Sequence, residues 1–299
     1  MAASEHQDHH LHKQNVAAAL LVILGMAMIS SNDALMKLSS TELGVGQLLF
    51  VRGSLAVILF SLFIKLSGRP LFPRRAFSRW NGLRALCECC ATVCFITGLT
   101  LLPIAIASTL VWTTPMMLTL AAAFLLKENV STGRWLAVLV GFAGVLLVTN
   151  PFGESFSPAM LLPLLAAVFV TARDLTTRRI EANVDSLYIV LTTLTTVTVV
   201  GFLMALFDWR PVTLTRTGWL ALSALLLGLG FLCQITAVRK GELSFIAPFS
   251  YTGILVAVFW GYMVWQQWPS NLTFAGIALI VGSGMYILTV GRISRRGIR

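Results

Sequence analysis

Hydrophobic and polar positions fall along this chain in long blocks rather than in a short alternation. Apolar runs follow one another with brief polar links between them. Each run is close to the roughly 20 residues a helix needs to cross a bilayer core. The pattern predicts ten spans, at 16–36, 46–66, 82–101, 104–126, 134–149, 158–178, 186–207, 216–238, 244–266 and 272–291. Asn150-Pro151 ends the fifth, and the Pro/Gly/Ser-rich link 150–158 separates two sets of five. Two five-helix repeats are therefore expected, over 16–149 and 159–291. Residues 1–15 are polar, hold all four histidines and read as a disordered cytoplasmic tail. Residues 292–299 read as a basic cytoplasmic tail. The first span is too long for a signal peptide, ends in Asn32-Asp33 and lacks a small-residue cleavage site, so it is expected to be retained.

The stretch 101–149 shows the internal pattern best. A break at Leu101-Leu102-Pro103 leads into an apolar run holding Trp112 and Pro115, then a polar link, then a run carrying Gly141 and Gly144. The same order returns near 239–289, with Pro248 and Tyr251 in the corresponding run. Residue identity between the two copies is poor, so the repeat rests on pattern.

Lysine and arginine placement sets the orientation. With the N-terminus inside, sixteen of these cations fall on inner segments and their edges and three (Lys37, Arg210 and Arg216) on outer ones; Arg52, Arg84 and Arg173 lie within spans. Both termini are thus expected in the cytoplasm. An odd number of spans per half makes two halves of one fold insert upside down relative to each other. That is the inverted-repeat plan of secondary transporters, with a substrate site near the midplane.

Composition narrows the class further. The chain is 57% hydrophobic and 11% charged, against about 25% charged in soluble proteins. An all-α polytopic protein of the plasma (inner) membrane is expected. The net charge of +10 follows from the basic inner links and points to no nucleic-acid partner. Cys87, Cys89, Cys90, Cys94 and Cys233 sit in or near apolar runs and read as packed thiols. Cys87, Cys90 and Cys94 share one helix face, but one helix cannot supply the tetrahedral convergence of a thiolate metal site. No metal and no cofactor is expected.

Ten spans in a five-plus-five order resemble the drug/metabolite transporter superfamily and, within it, the EamA-type exporters. The residues carrying the resemblance are Phe50-Val51-Arg52 in span 2, Leu101-Leu102-Pro103-Ile104-Ala105-Ile106-Ala107-Ser108 at the entry to span 4, Pro115, Glu128, the span 5 glycines, and Ala247-Pro248 with Tyr251. Gln266-Gln267-Trp268 stands where that family usually places an acid after span 9. The chain looks most like the YddG-type amino-acid exporters. The resemblance implies a secondary transporter that exports small metabolites, amino acids of neutral or aromatic type in particular, by alternating access through a central cavity.

Ionisable groups inside spans cost about 2.5–3.5 kcal/mol each on insertion scales, so each needs a use. Asp33, four residues before Lys37 and at the depth of Arg52, reads either as a structural pair with one of them or as an outer gate. Shifting by 141 places Asp174 on Asp33 and Arg178 on Lys37, which suggests a matching gate at the opposite face. Glu88, four residues after Arg84, reads either as a pair with that arginine or as a proton site. Trp112 and Tyr251 sit beside Pro115 and Pro248. The prolines are hinge candidates, and the aromatics candidate cavity walls. Ser30, Ser31, Asn32, Thr113, Thr114, Gln234 and Ser250 are the further polar candidates for substrate binding. Trp80, Trp135, Trp265 and Trp268 read as interfacial anchors. Ala137, Gly141 and Gly144 in span 5, with Ala278 and Gly282 in span 10, read as small packing faces.

A drug or organic-cation exporter of the same fold is the alternative, and it requires an essential cavity acid. An enzyme is disfavoured, because the chain holds no Gly-Lys-Ser/Thr phosphate loop, no intramembrane His pair and no His-Glu-x-x-His. A channel is disfavoured because no polar filter is evident. The expected partners are a small-molecule substrate and the lipid bilayer, and a monomer fits the reading.

Overall fold

The computed structural model describes the backbone of residues 2–71, 78–125, 127, 130–153, 156–177, 179–181, 184–240 and 243–296. Side chains are described for residues 14–288 of that set except 186, 238, 239, 243, 244 and 247. Among the described residues twelve α-helices follow in order: α1 (Ala2–Ser39), α2 (Val45–Leu66), α3 (Arg79–Leu101), α4 (Ile104–Val111), α5 (Thr114–Phe124), α6 (Thr132–Thr149), α7 (Leu161–Thr177), α8 (Ser186–Ala205), α9 (Leu214–Lys240), α10 (Leu243–Ile246), α11 (Thr252–Trp265) and α12 (Asn271–Arg296). Among the described residues ten stretches are long and apolar enough to cross a membrane, α4–α5 forming one of them.

The ends obey local chemistry. Ser78 caps α3 by accepting from the Asn81 N–H at 3.1 Å, and Asp185 caps α8 by accepting from the Leu187 N–H at 3.0 Å. Gly68, at φ +69, takes the left-handed position that closes α2. Asn150, also left-handed, ends α6 just before Pro151. The tail expected over 1–15 is instead helical from Ala2, continuous with the first span. No glycine or proline lies between Ala2 and Val16 to stop it, and a helix propagates easily once nucleated. The basic tail likewise continues as helix to Arg296.

Two spans expected as single helices are broken. Span 4 divides after Val111, with Trp112 and Thr113 in a turn and Pro115 in the first turn of α5. A proline ring excludes the carbonyl four residues back, here that of Val111. The Thr114 hydroxyl donates to that carbonyl at 2.7 Å, and the Thr113 hydroxyl donates to Leu110 at 2.8 Å. Span 9 opens with α10 and a 3-10 turn, Ala247–Tyr251, which contains Pro248 and leads into α11.

Four helix pairs dominate the packing: α1 with α9, α3 with α7, α2 with α8, and α6 with α12. Exchanging the first five spans for the second five sends α1–α9 to α7–α3 and leaves the other two pairs unchanged. The contact map therefore has a two-fold internal symmetry that residue identity conceals. Two of these pairs meet at reciprocal glycines, and a third at a glycine set against backbone. A Cβ on Gly144 would lie 2.8 Å from the Gly276 carbonyl, and one on Gly276 2.7 Å from that of Gly144. Gly25 and Gly230 face each other the same way at 3.0 and 3.1 Å, and Gly201 abuts the Phe50 nitrogen at 2.7 Å and the Gly46 carbonyl at 3.0 Å. In the fourth pair, Gly98 receives Pro163 at 2.8 Å. Such approaches replace a hydrophobic driving force with backbone packing. The face expected on span 10 is corrected: Ala278 and Gly282 point outward, and Gly276 makes the contact.

The largest apolar cluster centres on the half opposite the basic links, which the charge pattern marks as outer. Met36, Leu48, Leu49, Leu99, Ile104 and Leu220 belong to it. Polar ties on the same face reinforce it. The Gln47 side chain donates to the Arg210 carbonyl at 2.6 Å and accepts from its N–H at 3.2 Å. Arg216 donates to Leu38 O at 2.9 Å, to Thr41 and to Glu42. Glu42 lies outside the spans, and this hydrogen bond holds its carboxyl below the usual carboxylate range. The other half holds smaller, separate clusters, one of Ala56, Phe60 and Ile64 with Leu191, Leu194, Ala224 and Leu227, another of Ala18 and Val22 with Ala237 and Ile246.

Candidate functional site

Three polar or aromatic levels are stacked through the bundle. The outer level lies on α1, about 10 Å below its end at 1.5 Å per residue. Asn32 is 1% exposed. Its Oδ1 accepts from the Ser223 hydroxyl of α9 at 2.6 Å and from Arg52 Nη1 of α2 at 3.4 Å. Its Nδ2 donates to Asp33 Oδ1 at 2.9 Å. One amide thus joins three helices. Beside it, Ser31 accepts from Trp260 Nε1 of α11 at 2.9 Å. Neither structural pair expected for Asp33 forms. Arg52 attracts it across the bundle but makes no ion pair with it, and Lys37 points elsewhere.

Lys37 is 8% exposed and crosses to the end of α3, where its ammonium donates to Leu99 O at 2.7 Å and to Leu102 O. The ring of Trp265 lies 5.5 Å away, so this tryptophan is more than an interfacial anchor. The last carbonyls of a helix carry its partial negative charge, and the Leu102-Pro103 break leaves them open. A buried cation without a carboxylate is satisfied this way. Lys37→Met strands these carbonyls at a cost of about 1–3 kcal/mol, and a fall of several degrees in the thermal midpoint of the purified protein is the expected reading. An unchanged midpoint would remove Lys37 from the outer seal.

The middle level is aromatic. Trp112, at the α4–α5 break, and Tyr251, at the end of the 3-10 turn, stand with ring centroids 5.1 Å apart. The two broken spans therefore meet at their breaks, and Pro115 and Pro248 flank the contact. The Tyr251 hydroxyl abuts Gly284 of α12 and is buried without a hydrogen-bond partner.

The inner level is ionic. Arg173 of α7 donates to Glu88 of α3 at 2.6 Å and to its neighbour Asp174 at 2.8 and 3.0 Å. Glu88 is thus paired across helices, not with Arg84 as its spacing suggested. Arg84 instead donates to the Thr193 hydroxyl of α8 at 2.6 Å. These side chains are less enclosed than the outer level: Glu88 is 19%, Arg173 24% and Asp174 36% exposed. Arg178, the expected partner of Asp174, lies outside the described residues, as does Glu128.

The internal symmetry relates the two polar levels. A shift of 141 carries Asn32 to Arg173, and the packing symmetry carries α9, which bears Ser223, to α3, which bears Glu88. The outer contact is a neutral hydrogen bond and the inner one an ion pair. Each closes one helix pair near one face.

The remaining candidates divide. Thr113 and Thr114 are spent on the carbonyls freed at the break, and Gln234 donates to Val22 O at 3.2 Å, tying α9 to α1. Ser250 is partly buried beside Tyr251. Cys89 is buried, and no cluster of three or more metal-ligating side chains occurs among the described residues. Treatment with a chelator is expected to leave the thermal midpoint unchanged; a fall would reveal a structural metal. Ser223 and the partners of Lys37 went unrecognised in the sequence. Arg173 was visible as a cation inside a span, next to an acid.

Comparison with known proteins agrees with this fold. The EamA-like transporter family profile matches residues 16–150 and again 157–289. The pseudopaline exporter CntI of Pseudomonas aeruginosa is 27% identical over 267 residues, covering 89% of this chain and 93% of that protein. The S-adenosylmethionine uptake transporter of Rickettsia bellii is 23% identical, covering 89% and 91%. The riboflavin transporter of Vibrio cholerae is 27% identical, covering 79% and 80%. A solved crystal structure superposes with a TM-score of 0.61 at 20% identity over 95% of this chain and the whole of that one, a likeness of fold. These relatives carry different metabolites, and none is named for amino-acid export. This chain is a multi-pass integral membrane protein, a small-molecule transporter that belongs to the EamA-like transporter family.

Proposed function

We propose that this protein exports small zwitterionic metabolites, amino acids with neutral or aromatic side chains foremost, by alternating access between its two halves. The observation that carries this reading is the placement of the Trp112–Tyr251 pair between two charged levels. Aromatic faces receive a ring or an aliphatic side chain. Carboxylates and guanidinium groups on either side suit an ammonium and a carboxylate. Of the compounds named for its relatives, S-adenosylmethionine joins an aromatic ring to an amino-acid end, and riboflavin offers a ring system. The packed outer half and the partly exposed inner ion cluster correspond to a state closed outward and accessible from the cytoplasm. Glu88 is held by Arg173, so its part in this reading is the inner gate. Asp33 carries no ion pair and is the acid left for proton coupling.

Uptake of labelled tryptophan, phenylalanine, leucine, S-adenosylmethionine and riboflavin into proteoliposomes tests the reading. Saturable uptake of the aromatic amino acids is expected, reduced at least tenfold in Trp112→Ala. Uptake of a lipophilic cation with no amino-acid uptake would replace it with the organic-cation alternative.

A further inference from the structure

The outer level contains a buried cation whose partners do not satisfy it. Arg52 is 6% exposed. A single long hydrogen bond, 3.4 Å from Nη1 to Asn32 Oδ1, is its described contact. Its Nε is buried with no partner. Asp33, whose charge it feels, does not approach to ion-pair distance and is held by Asn32. Asn32 thus stands between the two charges and shares its one acceptor oxygen between Arg52 and Ser223. Arg173 in the other half shows what a satisfied guanidinium looks like here, with three hydrogen bonds to two carboxylates. A guanidinium offers a planar fork of N–H groups that matches a carboxylate edge on, and a buried one left without an anion is costly.

We propose that Arg52 is the subsite for the carboxylate of the transported molecule. The inference rests on the reading above that the substrate carries a carboxylate. An arriving carboxylate takes Nε and one Nη together, replacing the weak bond that Arg52 donates to Asn32. Nothing else in the described outer level offers a guanidinium with a free edge. Asp33, on the far side of Asn32, then faces the substrate's ammonium. Occupation also withdraws Arg52 from Asn32, so substrate arrival removes a bond between α2 and α1 and leaves the Asn32 oxygen to Ser223 of α9.

The test measures thermal midpoints of the purified full-length protein with tryptophan, tryptophan amide, benzoate, benzamide, chloride and phosphate. The wild type is expected to gain about 2–4 °C with the two carboxylates and not with the amides. Arg52→Gln is expected to lose that gain, and Arg52→Lys to keep part of it. An equal gain in Arg52→Gln would overturn the assignment. Chloride or phosphate matching the carboxylates in the wild type would also overturn it, in favour of a general anion site. If Arg52→Gln fails to fold, Asn32→Ala decides: removing the competing acceptor should strengthen the carboxylate gain, and a gain lost for every ligand would contradict the proposal. In proteoliposomes, the tryptophan to tryptophan amide uptake ratio should fall at least tenfold in Arg52→Gln. An unchanged ratio with tryptophan still transported would sink the Arg52 subsite alone. Carboxylate binding through Arg52 with no amino-acid transport would sink the transport reading alone.

Discussion

Arg173→Ala is expected to reduce transport at least tenfold and to destabilise the protein by about 2 kcal/mol. The change removes a cation that makes three hydrogen bonds to Glu88 and Asp174 and leaves those carboxylates facing each other. Breaking a fully buried pair costs roughly 3–5 kcal/mol, and exposed pairs are worth about 1 kcal/mol or less. The partial exposure of Arg173 and Glu88 places this pair between the two. Glu88→Ala combined with Arg173→Ala should recover much of the stability, because no unpaired Glu88 carboxylate remains, while transport stays low because the inner contact is gone. Thermal midpoints and proteoliposome uptake separate the two effects. A double variant less stable than either single one would show that the side chains act through packing rather than charge.

Gly144→Leu is expected to prevent folding, and Gly144→Ala to cost about 1–3 kcal/mol. The new Cβ lies 2.8 Å from a carbonyl of α12, and backbone cannot move aside as a flexible side chain would. Gly218 meets nothing within 4 Å, so Gly218→Ala serves as the control and should stabilise by about 0.5–1 kcal/mol through helix propensity. The amount of monodisperse protein after detergent extraction, with its thermal midpoint, reads all three. Normal yield of Gly144→Leu would mean that α6 and α12 are not packed backbone to backbone.

Ten spans, their order and the two-set division were legible because the bilayer imposes its length on every apolar run. The breaks in spans 4 and 9 were marked by Pro115 and Pro248, since a proline acts locally and is visible locally. Long-range partners were not legible. Spacing of four offered Asp33 to Lys37 and Arg84 to Glu88, yet each cation found a better acceptor on another helix: Lys37 the carbonyls of α3, Arg84 a threonine of α8. A single-helix rule cannot weigh such acceptors. Ser223 gave no sign at all, one hydroxyl among many in an apolar helix. The small face of span 10 was placed by counting small residues, and the structure turned it so that Gly276 meets Gly144.

The central claim is that one site, with the Trp112–Tyr251 pair at its middle, is exposed to one side of the membrane at a time. Trans-stimulation measures this directly. Proteoliposomes preloaded with unlabelled tryptophan should take up labelled tryptophan several-fold faster than empty ones, with saturation. Uptake that rises linearly with concentration and ignores the preload would contradict the claim, because a continuous pore behaves that way and an alternating site does not.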